Sequence, residues 1–81
     1  MRHDLRKLAA LADYRLQVEF LDGSRGVFDL RPYLDSPGMD RLRDPSYFQR
    51  VSILVGAANW PSGEDIAPET LAAEVATNVP T

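Results

Sequence analysis

Tyr14-Arg15-Leu16-Gln17-Val18-Glu19-Phe20-Leu21-Asp22-Gly23 is the stretch on which the fold turns. Tyr14, Leu16, Val18 and Phe20 alternate with Arg15, Gln17 and Glu19. A side-chain period of two over this length predicts a strand with one face buried and one in water. Asp22-Gly23 predicts a tight reversal, because glycine enters positive φ without a Cβ clash. The returning run, residues 24–30, supplies Val27, Phe28 and Leu30. A two-residue loop at Asp22-Gly23 would set Leu16 opposite Asp29 and send Phe28 and Leu30 to the polar side. An odd loop gathers Leu16, Val18, Phe20, Phe28 and Leu30 on one face. Opposed residues share a face and one residue of slip inverts the pattern, so burial selects a three- or five-residue turn with a bulge at Gly23 or Ser24.

Upstream, Leu5, Leu8, Leu11 and Ala12 fall at helical spacing, and Ala9 and Ala10 favour a helix, so the local pattern there leans helical. Downstream, Pro32 and Ser36-Pro37-Gly38 end the hairpin, with one helical turn at Tyr33-Leu34 and Leu42 as an apolar anchor. Asp44-Pro45 is a helix-start signal, predicting a helix over about residues 45–50 that buries Phe48 and part of Tyr47. Val51, Ile53 and Val55 alternate as a strand; Gly56 and Asn59 allow a turn; residues 58–60 begin another extended piece. Pro61-Ser62-Gly63 reads as a turn and Ile66 as a short extended stretch. Pro68-Glu69 opens a last helix with Leu71, Ala72, Val75 and Val79 as its apolar stripe, and Pro80 and Thr81 fray beyond it.

Composition bounds the chemistry. Eighty-one residues make one small domain, 1–81, with a modest core and little room for a deep cavity. With no cysteine there is no disulfide, no thiolate nucleophile and no Cys-rich zinc site; with His3 as the single histidine there is no ligand cluster, so no metal or other cofactor is expected. The basic start of the chain is not followed by the apolar stretch of a secretory signal, and no window approaches the roughly 20 apolar residues of a membrane span, so a soluble cytoplasmic protein is expected. Charge is uneven. Residues 1–50 carry +1, and residues 51–81 carry −4 through Glu64, Asp65, Glu69 and Glu74.

Three blocks together carry a resemblance: the hairpin from Tyr14 to Gly23 with Val27-Phe28-Asp29-Leu30, then Leu42-Arg43-Asp44-Pro45-Ser46-Tyr47-Phe48, then Trp60-Pro61-Ser62-Gly63-Glu64-Asp65-Ile66-Ala67-Pro68-Glu69-Thr70-Leu71. In order and spacing, over about residues 5–72, the chain resembles the short bacterial proteins of the domain-of-unknown-function 2442 family. The resemblance implies a small two-layer α+β domain: three strands, a short helix, two more strands and a terminal helix, in a mainly antiparallel sheet of about five strands with helices on one face. On that analogy the first segment is a strand, against its helical spacing. The resemblance implies no established enzyme activity. It implies a small protein encoded nearby as partner, with this family as the antitoxin-like member of a two-protein module. Ala67 stands where the family commonly carries an Asp-type cap, so the last helix is expected to start loosely or to use Asp65.

These readings set the functional expectations. The leading one is a non-enzymatic protein-binding domain that meets a basic partner through Trp60, Pro61, Gly63, Glu64, Asp65 and Glu69, although composition alone reads Trp60, the single tryptophan of a small chain, as a core residue first and a contact second. A nucleic-acid-binding or autoregulatory module would use Arg2, Arg6, Lys7 and Arg15, although the net charge of −3 speaks against nucleic acid as a ligand of this chain. A small hydrolase would need Asp29 and Asp65 in one cleft; short carboxylates beside turns more often bond local amides. An edge strand could also pair with a second copy, giving a homodimer.

Overall fold

In the computed structural model, which describes residues 4–78 and side chains as far as Val75, the hairpin has the odd loop that burial demands. β2 (Arg15–Phe20) and β3 (Arg25–Asp29) pair antiparallel with Leu16 opposite Phe28 and Val18 opposite Gly26. The Phe20 N–H donates to the Ser24 carbonyl at 2.8 Å, which leaves Leu21, Asp22 and Gly23 as a three-residue loop. Gly23 takes φ 90°, the left-handed conformation that this loop asks of its last residue. Leu16, Val18, Phe20, Phe28 and Leu30 are all buried.

β1 (Leu5–Leu11) is a strand, paired antiparallel with β2. Ladder pairing and burial outweigh the helical spacing of its leucines. The register shifts by one residue between Leu5 and Lys7, and this bulge brings Leu5 onto the inner face with Leu8 and Ala10. Tyr14, expected within the strand, lies in a 3-10 turn with Asp13 at φ 62° and itself at φ 61°. Its ring meets Phe48 edge-on and its hydroxyl donates to the Arg43 carbonyl.

A 3-10 turn at Arg31–Tyr33 follows β3, and a second at Asp40–Arg43 buries Leu42. α1 (Pro45–Phe48) is shorter than expected; the Asp44 carboxylate caps it, accepting the Ser46 N–H at 3.0 Å. β4 (Ser52–Leu54), β5 (Ala57–Asn59) and β6 (Asp65–Ile66) form a second antiparallel sheet in that order. α2 (Pro68–Asn78) packs on β3, with Leu71 and Val75 buried and Ala72 half-buried. A Cβ on Gly26 would collide with Val75, so the bare backbone there sets how closely α2 approaches the sheet. The Ala67 carbonyl accepts from the N–H groups of Thr70 and Leu71 at 3.0 and 3.2 Å. Val79, Pro80 and Thr81 lie outside the described residues, as do Arg2 and His3.

The expectation of one sheet of about five strands is corrected here. The fold is α+β, but the six strands among the described residues form two three-stranded sheets. The strands of the second are two or three residues long, and where they meet β1 the Leu5 N–H donates to the Gly56 carbonyl at 2.9 Å without a ladder forming. Both sheets nonetheless feed one core: Leu16, Phe28 and Leu30 from the first, Ala58 and Ile66 from the second, with Phe48, Trp60 and Leu71 among them.

Candidate functional site

Two surfaces gather the residues singled out from the sequence. The first is the turn after β5. Trp60 is 1% exposed, its ring lies 6.1 Å from that of Phe48, and its Nε1–H donates to the Phe48 carbonyl at 2.9 Å. It is an anchor under the turn and presents no surface to a partner, which removes it from the contact residues expected above. The Trp60 N–H donates to the Glu64 carbonyl and the Gly63 N–H to the Trp60 carbonyl, each at 2.9 Å. The Tyr47 hydroxyl braces the turn from α1: it accepts the Ser62 N–H at 2.8 Å and donates to Glu64 Oε1 at 2.6 Å. Glu64 is therefore half-buried and engaged, while Pro61, Gly63, Asp65 and Glu69 are exposed. A shallow hollow of about 490 Å³ separates the turn from Pro37, Gly38 and Arg41. Asp65 thus follows directly on a turn held by four hydrogen bonds, so a partner would not have to order the loop on binding.

The second surface is the outer face of the first sheet. Lys7 and Arg25 stand opposite Glu19 from its two neighbouring strands, and Arg6 Nε lies 3.4 Å from Glu19 Oε2. One carboxylate so answers three cations. Among the described residues neither Lys7 nor Arg25 reaches a carboxylate at ion-pair distance. Arg15 is on the same face, with Asp13 at 3.9 Å. A groove of about 600 Å³ crosses this face from Arg25 over Gln17 and Glu19 to residues 6–9 of β1, with Ile53 of β4 as a further wall. The fold therefore brings Arg6 and Lys7 together; Arg15 shares their face but stands opposite Leu11, at the other end of the ladder and outside the groove, and Arg2 lies outside the described residues. Arg25 and Ile53 were missed. The odd register of β2 and β3 already places Arg25 opposite Glu19, so the hairpin argument carried that signal; nothing in the sequence pointed to Ile53 as a groove wall.

Asp29 and Asp65 do not share a site. Asp29 accepts the Arg31 N–H at 3.0 Å and holds the guanidinium at 2.8–3.2 Å. Hydrogen bonding to that side chain holds its carboxyl below the ordinary aspartate value. Asp65 lies in the other sheet, opposite Asn59. Among the described residues no three of His, Cys, Asp and Glu come together as metal ligands, and no helix is long and apolar enough to cross a membrane.

No curated protein and no solved structure matches the chain. The family described as "Protein of unknown function (DUF2442)" matches residues 5–77, nearly the whole chain and each of the six strands, and the protein belongs to it.

Proposed function

We propose that this chain is a non-enzymatic protein-binding domain, the antitoxin-like member of a two-protein pair, which presents Asp65, next to the braced turn, and Glu69, in the first turn of α2, to a basic partner. The observation that carries the reading is the Tyr47 hydroxyl. It ties Ser62 and Glu64 to α1, so that the exposed turn is fastened to the core beneath it. Pro61 and Gly63 form the tip of the contact, Glu64 fixes its shape, and the surplus of negative charge in residues 51–81 steers the encounter.

The test is co-expression with the protein encoded next to it. The wild-type chain is expected to co-purify with that neighbour and to relieve any growth arrest it causes. The D65K/E69K variant folds, since both side chains are exposed, and loses co-purification. Absence of a complex with the wild-type chain, or a complex indifferent to D65K/E69K, overturns the proposal.

A further inference from the structure

We propose that the groove on the outer face of the first sheet takes up an acidic, extended segment of a partner protein, which adds as a strand along the free part of the β1 edge, at Leu8 and Ala10, beyond the point where Leu5 meets Gly56. This surface is distinct from the acidic turn and opposite to it in charge.

The hydrogen-bond alternation identifies the free edge. The Phe20 N–H donates to Ser24 and the Leu30 N–H to Tyr14, at 2.8 and 2.9 Å, so the even-numbered residues of β2 turn their backbone groups toward β3. Arg15, Gln17 and Glu19 then bond to their opposites in β1, which are Leu11, Ala9 and Lys7. Leu8 and Ala10 are left with N–H and C=O directed away from the sheet. The same argument applies in the second sheet. The Trp60 N–H bonds to Glu64, so Ala58 serves β6, and Ile53, opposite Ala58 on β4, turns its backbone groups outward. Among the described residues no backbone hydrogen bond reaches Leu8, Ala10 or Ile53 from beyond their own sheets. Leu8 and Ile53 line the same groove.

Charge and shape select the occupant. Arg6, Lys7 and Arg25 outnumber Glu19, which favours an anionic ligand. Amides and carbonyls alternating along an edge match a polypeptide backbone in register, whereas the sugar-phosphate chain of DNA carries acceptors and no donors. Among the described residues the groove offers Ala9 and Ile53 as apolar contacts and no aromatic ring on which a base could stack. An extended chain alternates its side chains, so one set of carboxylates lies beside the cations while the other set of side chains packs on Ile53.

The experiment titrates the full chain against a fluorescein-labelled peptide alternating Glu and Val, with readout by anisotropy. The controls are a Lys-Val peptide, an N-methylated Glu-Val peptide and a single-stranded DNA of equal charge. The Glu-Val peptide is expected to bind, to shift the amide resonances of Leu8, Ala10 and Ile53, and to weaken at least about tenfold with K7E/R25E, as expected when two partly exposed attractions become repulsions. The Lys-Val and N-methylated peptides are expected not to bind, and D65K/E69K is expected to leave binding unchanged, which separates this surface from the acidic turn. No binding of the Glu-Val peptide, equal binding by K7E/R25E, equal binding of the N-methylated peptide, or tighter binding of the DNA would each overturn the proposal.

Discussion

The hairpins β2–β3 and β4–β5 are both antiparallel pairs closed by a tight turn, and they meet the demands of that turn in opposite ways. In β2–β3 the positive φ falls on Gly23, and the Asp22 carboxylate steadies the loop by accepting the Ser24 N–H at 2.9 Å and its hydroxyl at 2.6 Å. Its arms bury Leu16 and Phe28 completely. In β4–β5 the two-residue turn places Val55 at φ 52° and Gly56 at φ 77°. A β-branched residue in that region is an outlier. Val55 is also 91% exposed, with Leu54 at 56% and Ile53 at 37%. The stretch from Val51 to Gly63 carries no charge at all. Local preference and burial agree in the first hairpin. In the second, both are set aside for the shape of an edge.

The sharpest break in this comparison comes from deleting one side chain in each sheet. Phe28→Ala is expected to cost about 3–5 kcal/mol, a large share of the roughly 4–12 kcal/mol of a domain this size. Ile53→Ala, at a position more than a third exposed, is expected to cost no more than about 1 kcal/mol. Urea unfolding followed by far-UV circular dichroism measures both. Equal losses would mean that the second sheet is as much a part of the core as the first.

A smaller effect of opposite sign tests the turn. Val55→Asn places a residue tolerant of positive φ in the strained position, and the midpoint of urea unfolding is expected to rise by the equivalent of about 1 kcal/mol. A loss of stability would show that the Val55 side chain makes a contact worth more than its backbone strain.

The smallest effect concerns the far end of the first hairpin. The Asp29 carboxyl sits below its ordinary value of 3.8, because the Arg31 side chain and N–H bond to its charged form. Its contribution to stability is present above the ordinary value and is lost as the pH falls through the lowered one. The group is partly exposed, so solvent and salt weaken the effect. Asp29→Asn is expected to flatten the acid limb of the stability profile and to leave the form of the curve near neutrality unchanged. An unaltered acid limb would assign that limb to other carboxylates, such as Asp44, whose carboxyl is lowered by its bonds to Ser46.

The same contrast explains what could be read from the residues. The first hairpin was legible down to loop parity, because five large apolar side chains must share a face and one residue of slip would expose them. The helix start at Asp44-Pro45 was legible because a cap is a local bond. The strand character of residues 5–11 was not visible locally, since a bulge at Arg6 breaks the alternation that would have revealed it; the family likeness supplied it instead. The split into two sheets was also hidden, since strands of two or three residues leave too short a pattern to fix their neighbours. Pro61, Gly63, Asp65 and Glu69 lie at the surface, while Trp60 does not. The bracing by Tyr47 depends on a contact across fifteen residues, and no spacing rule reports it.

The enclosed indole has a practical consequence. Trp60 is the single tryptophan of the chain, and it is packed against Phe48 at the end of β5, beneath the braced turn and within the core that both sheets share. Its fluorescence is therefore a built-in gauge of that junction. A red shift of the emission records water reaching the ring, without any label, and a blue emission that persists while a partner binds the turn shows that docking leaves the anchor seated.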